Sequence, residues 1–502
     1  MISAKSFLLV ILGVVLSICT ATAETSPAEA DGTILTIWPL VDYRESPREG
    51  FSNLSVLGPL FKLQRRGDDT DLAVRPLFFT TNNRRNQTAA TEILYPLASS
   101  RSDQDGKRIQ VLKLFQRDVD RTGDEAGGGS TMLFPFYISG TSGKYGTYTS
   151  VFPIYGDIYE RFWRDEYHYA LFPLYSKTVK KGTTNRNFIY PFFSVTEGEK
   201  ESGFQVWPLY GQSAKEGVYN RRFAFWPFFM TETSGLDTDN PTEKLSLLPL
   251  YAATDSPTRT SRHYLWPFFG HSRDEAKKQE EWDILWPFWV VERGDKRVLD
   301  RWLPLYSEQK GNETLKRWYM WPLYCREELN SAQFRQERDR FLYFLYSDKR
   351  ESWPADGAER RKVAFWPLFL YNRDEKGTSS LSLPALLEPI LDREGIERNW
   401  APLWRFYLHR WNDRGDSALS ILWNLYWHER RSNALAYELF PLVSWRSLPA
   451  NVDFAILKGL VRYRSGSSGS SLSLLWLPFG LHWGGEQEVV HEEASGAARS
   501  KP

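Results

Sequence analysis

Seven histidines, one cysteine in the body of the chain and scattered carboxylate clusters are the residues that could do chemistry. Metal binding or proton transfer would need His168, His263, His271, His409, His428, His482 and His491 to converge. They fall far apart, with no short ligand spacing, no HExxH and no cysteine cluster. Cys325 follows Trp321-Pro322-Leu323-Tyr324 and has no identifiable partner base, so it reads as structural and not nucleophilic. In GDIYERFWRDEYHY the carboxylates Asp157, Glu160, Asp165 and Glu166 could hold calcium or work on a glycoside, but only at a separation that a fold must supply. Mixed-charge runs such as Glu337–Arg340 read more simply as solvated surface. The Gly-rich stretches GDEAGGGS and YRSGSSGS carry no phosphate-loop lysine and read as turns. Asn53, Asn86 and Asn312 match the N-glycosylation pattern Asn-x-Ser/Thr; the export signal is shared by bacterial and eukaryotic proteins, and a bacterial barrel would make the matches incidental. No catalytic, cofactor-binding or metal residue is assigned, and the expectation is a protein that is not an enzyme.

The elements that would position any site come from a repeat. Prolines flanked by aromatic or aliphatic residues recur at Pro39, Pro59, Pro76, Pro96 and Pro135, and onward to Pro402, Pro441 and Pro478, as WPLY, FPLY, YPFF and WPFF. Where the step doubles, a proline-free stretch fills it: VLKLF, FLYFLY, ILWNLY and AILKGL. Counting these gives 24 units about 19 residues apart. Val, Ile, Phe, Tyr and Trp dominate the centres, and Gly, Asn, Asp and Lys dominate the connections, which favours strands joined by short turns. Connections this short cannot hold crossover helices, so successive strands should pair antiparallel. The expected fold is all-β, a meander of about 24 strands of roughly 8 to 14 residues each, with the proline inside the strand. In FQVWPLY, Phe204, Val206, Pro208 and Tyr210 should share one face, and Gln205, Trp207 and Leu209 the other.

The first 23 residues have the layout of a cleaved export signal: Lys5, an apolar run from Phe7 to Ile18, and Ala21-Thr22-Ala23. Leu16-Ser17-Ile18-Cys19 offers lipid attachment at Cys19 as an alternative, disfavoured by the bulky Ile18. The expected organisation is a signal at 1–23, a linker at 24–33, one repeat domain at 34–483 and a polar tail at 484–502. Removing the signal leaves 62 basic and 62 acidic residues, one fewer basic than in the full chain, and that balance argues against a nucleic-acid partner. One remaining cysteine excludes an intrachain disulfide. After the signal no apolar run approaches the roughly 20 residues of a spanning helix.

An exported antiparallel meander resembles outer-membrane barrels in architecture, and closure would remove exposed strand edges. The favoured expectation is therefore an outer-membrane barrel in the bacterial envelope, with a channel or scaffold role and membrane lipid or an envelope component as partner. The aromatics crowd the middle of each unit instead of forming two girdles, which keeps a soluble alternative open: a propeller or layered sheet in the periplasm or outside the cell, binding a protein or polysaccharide. The tryptophans beside the prolines, among them Trp207, Trp226, Trp266, Trp286, Trp321 and Trp366, are read as packing residues ahead of a stacking surface.

Overall fold

The structure, a computed structural model, describes residues 32–484 apart from 48–49, 121–128, 392, 450, 467–468 and 478. The export signal, all but the end of the 24–33 linker, Pro478 and the tail from 485 lie outside the described residues. The chain forms one antiparallel meander sheet of 46 strands, most of them six residues long. The first strand, Thr33–Ile37, and the last, Gly480–Trp483, do not pair with each other, so the sheet is not closed through strand hydrogen bonds.

The all-β antiparallel meander and its repeat length therefore stand, but each 19-residue unit holds two strands instead of one. The proline is the reason. Glu201–Val206 and Tyr210–Lys215 pair through Val206 and Tyr210, and Trp207-Pro208-Leu209 turns the chain between them. Leu209 N–H donates to Val206 O at 2.8 Å, closing a four-residue turn with a cis proline at its third position. Seventeen X-Pro bonds along the sheet are cis. Proline thus sits where no ladder donor is needed, and it does not interrupt a strand. The proline-free units keep the turn by another route, with left-handed residues such as Leu112 and Lys113, Leu342 and Tyr343, or Leu457 and Lys458. The count also falls from 24 to 23 hairpins. Pro384 and Pro402 belong to one connection, which carries the short helices Glu394–Asn399 and Ala401–Trp404.

Polar turns close the opposite edge. Lys181 and Gly182 both have positive φ between Lys180 and Thr183, the two-residue geometry that suits the twist of paired strands. The ribbon consequently has two unlike edges, one built from proline turns and one from polar turns. Isolated apolar residues such as Trp163, 90% exposed, interrupt the polar edge.

Cross-strand register carries one face through the whole sheet. Thr36 opposes Asp42, Asp42 opposes Ser55, and Ser55 opposes Lys62. Farther on, Gly156 opposes Tyr169, Tyr169 opposes Ser176, and Trp318 opposes Cys325. This face folds back on itself. Arg44 pairs with Glu429, Arg446 donates to Ile34 O at 2.7 Å, and Arg398 binds Glu92, so the first strands lie against residues 395–446. It is the inner face. Like ends meet across the overlap: Trp38 Nε1 donates to Leu422 O at 2.8 Å and Trp400 Nε1 to Tyr95 O at 2.8 Å, all four residues lying at proline-turn ends or in the helical connection beside them. The proline-turn edges of both layers therefore lie on the same side.

Packing on the inner face depends on small residues next to that edge. Ser176, Ser194, Ser307 and Cys325 are buried there, and at Gly156 a Cβ would lie 2.6 Å from Cε1 of Tyr169. Tyr169 itself is buried with Ile138, Tyr148 and Ile158. A Gly156→Val variant should therefore be destabilised by about 1–3 kcal/mol through overpacking. Amides of Tyr155–Arg161 and Arg164–Ala170 should then exchange faster, whereas unchanged exchange would mean that Tyr169 moves aside freely.

Candidate functional site

The feature with the most unusual physics is the proline-turn edge. Fifteen of the seventeen cis prolines are followed by a large apolar side chain that is 43–66% exposed, including Leu209, Phe228, Leu250, Phe268, Phe288 and Leu305. The exceptions are the half-buried Leu323 and Ala385, which is buried under the helical connection. The residues before the prolines add to the edge: Trp226, Trp266, Trp286 and Trp321 are 43–48% exposed. Their rings also touch along the edge, with Phe192 5.8 Å from Trp207 and Trp207 5.7 Å from Trp226, centroid to centroid. The tryptophans expected to pack inside strands are therefore tip residues, packed on one side and open on the other.

The first residue pair of each hairpin extends this apolar zone onto the outer face. Phe188 opposes Tyr175 and Phe193, Tyr264 opposes Tyr251 and Phe269, and Trp289 opposes Trp302. Val206 and Tyr210 lie in this row with Phe204 two residues behind, so these three share a face as expected, whereas Pro208, expected with them, lies in the turn. Two residues farther from the edge the same face turns polar, with Lys177 opposite Arg186 and Glu308 opposite Arg317. The apolar zone is thus a belt, on the order of 8–10 Å deep at 3.3 Å per strand residue plus the turn.

The backbone of this edge is hydrogen-bonded within itself. Trp207 N–H donates to Phe192 O, Phe225 N–H to Leu209 O, and Trp226 N–H to Pro208 O, each at 2.7 Å. Each proline also removes one donor that would otherwise need a partner. An apolar surrounding penalises unsatisfied peptide groups heavily, and here few remain to be penalised.

The histidines, the cysteine and the carboxylates that could do chemistry do not converge. His168 lies between Asp157 and Glu166, with Nδ1 2.5 Å from Asp157 Oδ1 and Nε2 3.1 Å from Glu166 Oε2. The other two carboxylates of that stretch serve elsewhere: Asp165 accepts from Lys181 N–H, and Glu160 accepts from Ser142. His271 stacks on Trp282 and reaches Glu280 at 2.8 Å. His409 stacks 4.6 Å from Trp411, and burial, then His428, lowers its pKa. His263 and Asp283 are 3.8 Å apart on the inner face without forming a true ion pair. Burial lowers the histidine pKa, while burial and Glu281 raise that of Asp283 to about 6, so both shifts run against the charged form. Cys325 is 1% exposed in one of the small-residue slots, and burial, then Glu327, pushes its thiol pKa up. His491 lies outside the described residues. Among the described residues no group of three or more His, Cys, Asp and Glu side chains could hold a metal ion.

A second feature escaped the sequence altogether. The overlap of the two layers encloses a cleft of about 780 Å³, lined from Trp38 and Trp423 at the proline-turn edge to Arg66 and Asp69 near the polar edge. It adjoins a second space of about 420 Å³ under the helical connection, and the two share Arg398, Arg405 and Arg410. No signal short of the fold links Lys62 with Arg410. No protein-family model matches the chain, and no curated protein matches it.

Proposed function

We propose that this protein is an exported, non-enzymatic envelope scaffold that seats its proline-turn edge in a lipid leaflet, the bacterial outer membrane being the expected site. The observation that carries this reading is the belt: apolar tips on hairpin after hairpin, aromatic side chains on the outer face beside them, and a backbone satisfied internally. Contiguous exposed apolar surface of this extent marks a contact with lipid or protein. Trp, Tyr and Phe suit the water–lipid boundary, and a belt about 8–10 Å deep matches the depth of interfacial insertion. Six-residue strands reach about 20 Å, whereas a spanning strand needs about 9 to 11 residues, so the ribbon lies in the interface and does not cross it. Each half-exposed tip would contribute about 1 kcal/mol on insertion.

Fractionation of the natively expressed protein, followed by high-salt and urea washes, tests the seating. Retention with washed outer membranes is expected, without the heat-dependent gel shift of a closed barrel. Recovery in the soluble periplasmic fraction before any wash would sink the proposal, and a protein or polysaccharide partner would then be sought for the belt.

A further inference from the structure

The cleft between the two layers holds more cationic groups than its own ion pairs use. Arg44 is paired with Asp42 and Glu429, Arg398 with Glu92, and Arg405 with Glu388 and Glu397. Arg75 donates only to backbone carbonyls, those of Pro59 and Arg398, at 2.8 Å each. Lys62, Arg66 and Arg410 have no hydrogen bond or ion pair among the described residues, and all three line the cleft. Register explains their meeting. Lys62 and Arg66 share the inner face of Phe61–Arg66, and Arg410 projects from Tyr407–Trp411 in the opposing layer. The cleft also holds Asp42 and Glu397, already paired with Arg44 and Arg405, Asp69, which accepts from Asn83 at 2.6 Å, and Asp71, opposite Gln64. They offset part of this charge and leave the three cations unpaired.

We propose that this cleft binds a phosphate-bearing anion, held between Lys62 and Arg66 on one wall and Arg410 on the other. A phosphate offers several strong acceptor oxygens to guanidinium and ammonium donors, and two opposed walls can supply donors from both sides at once. Burial and neighbouring cations both act against the charge on these groups. Burial, then Arg75, lowers the pKa of Lys62 to about 8; burial lowers that of Arg75 to about 10; burial, then Arg405, lowers that of Arg410. Arg410 is nonetheless exposed, lining both the cleft and the space beside it. The cleft is thus both reachable and short of negative charge. Trp38 and Trp423 at its mouth place it beside the apolar edge, which would suit a phosphate carried on a lipid as well as one carried on a soluble molecule. The site does not depend on membrane seating, since its probe is soluble.

The test is calorimetric titration of the purified full chain with inorganic pyrophosphate at near-physiological salt. Saturable binding is expected, weakened roughly tenfold or more by Lys62→Gln and by Arg410→Gln, as loss of a charge-assisted hydrogen bond implies. Lys62→Arg should retain binding. Arg65→Gln should leave it unchanged, because Arg65 lies on the outer face opposite Thr70. Absence of saturable binding overturns the proposal, as does equal weakening by Arg65→Gln or full affinity in the Lys62→Gln and Arg410→Gln double variant. A parallel titration with dihexanoyl phosphatidic acid below its micelle concentration separates the sources. Tighter binding than pyrophosphate, with a change in tryptophan fluorescence, assigns a lipid phosphate; equal or weaker binding assigns a soluble one.

Discussion

Replacing four edge leucines together, Leu209→Glu, Leu250→Glu, Leu305→Glu and Leu368→Glu, should release the protein from phosphatidylcholine–phosphatidylglycerol vesicles by at least 100-fold while leaving its sheet intact. All four follow a cis proline and are 53–66% exposed, so little protein packing depends on them. Surface substitutions of this kind shift stability by about 0.5 kcal/mol or less. Seated in lipid, each substitution would instead lose about 1 kcal/mol of apolar burial and bring a carboxylate into the interface. Four such losses exceed the 2.7 kcal/mol or so that a 100-fold change requires. Four glutamates at polar turns, at Lys181, Lys200, Lys278 and Lys296, supply the control: they add more negative charge relative to the starting residues but touch no part of the belt. Vesicle co-sedimentation at moderate salt, with circular dichroism to confirm the sheet, reads the result. Equal loss in both sets would mean that charge alone governs binding, and retained binding in the leucine set would remove the belt as the contact.

The pattern behind this prediction was partly legible before any coordinates. A repeat of about 19 residues, strand composition and short connections lead directly to an antiparallel meander, and alternation placed Phe204, Val206 and Tyr210 on one face. The number of strands is not legible as long as the proline counts as part of a strand. Apolar turns are rare in soluble proteins, so Trp207-Pro208-Leu209 reads as a strand centre until the Val206–Tyr210 pairing shows it to be a tip. A corrective signal was present in the residues after each turn. Tyr155-Gly156, Tyr175-Ser176, Phe193-Ser194, Tyr210-Gly211, Tyr306-Ser307 and Tyr324-Cys325 are each an aromatic followed by a small residue. The first faces outward into the belt, and the second lies inward under a cross-strand neighbour such as Tyr169 over Gly156. That pair fixes where the second strand begins, and it also accounts for the lone cysteine. The overlap cleft had no comparable signal, because Lys62 and Arg410 are brought together only by the curl of the whole ribbon.

That curl rests on a few polar contacts, and Glu92 is central among them. Glu92, 5% exposed, accepts from Arg398 Nη2 at 2.6 Å and Nε at 3.1 Å, and from Asn399 Nδ2 at 2.6 Å. Arg398 also lies over the Phe79 ring, and its carbonyl receives Arg75. Glu92→Ala should weaken the joint by about 3 kcal/mol, because it leaves the largely buried Arg398 guanidinium without its carboxylate and Asn399 Nδ2 with Gly395 O alone. The strand Thr88–Ile93 keeps its two neighbours, so the loss should be local. Amide exchange should rise in Glu394–Asn399, and the Trp400 environment should change, while the hairpins between residues 130 and 360 stay protected. Adding Arg398→Met to Glu92→Met should recover part of the loss, since removing both partners leaves no orphaned charge, and the coupling between the two sites should exceed 1 kcal/mol in a double-mutant cycle. Purely additive effects, or an exchange pattern untouched by Glu92→Ala, would place the joint elsewhere, among the other links between the layers such as Arg44–Glu429, Arg446–Ile34 and Trp38–Leu422.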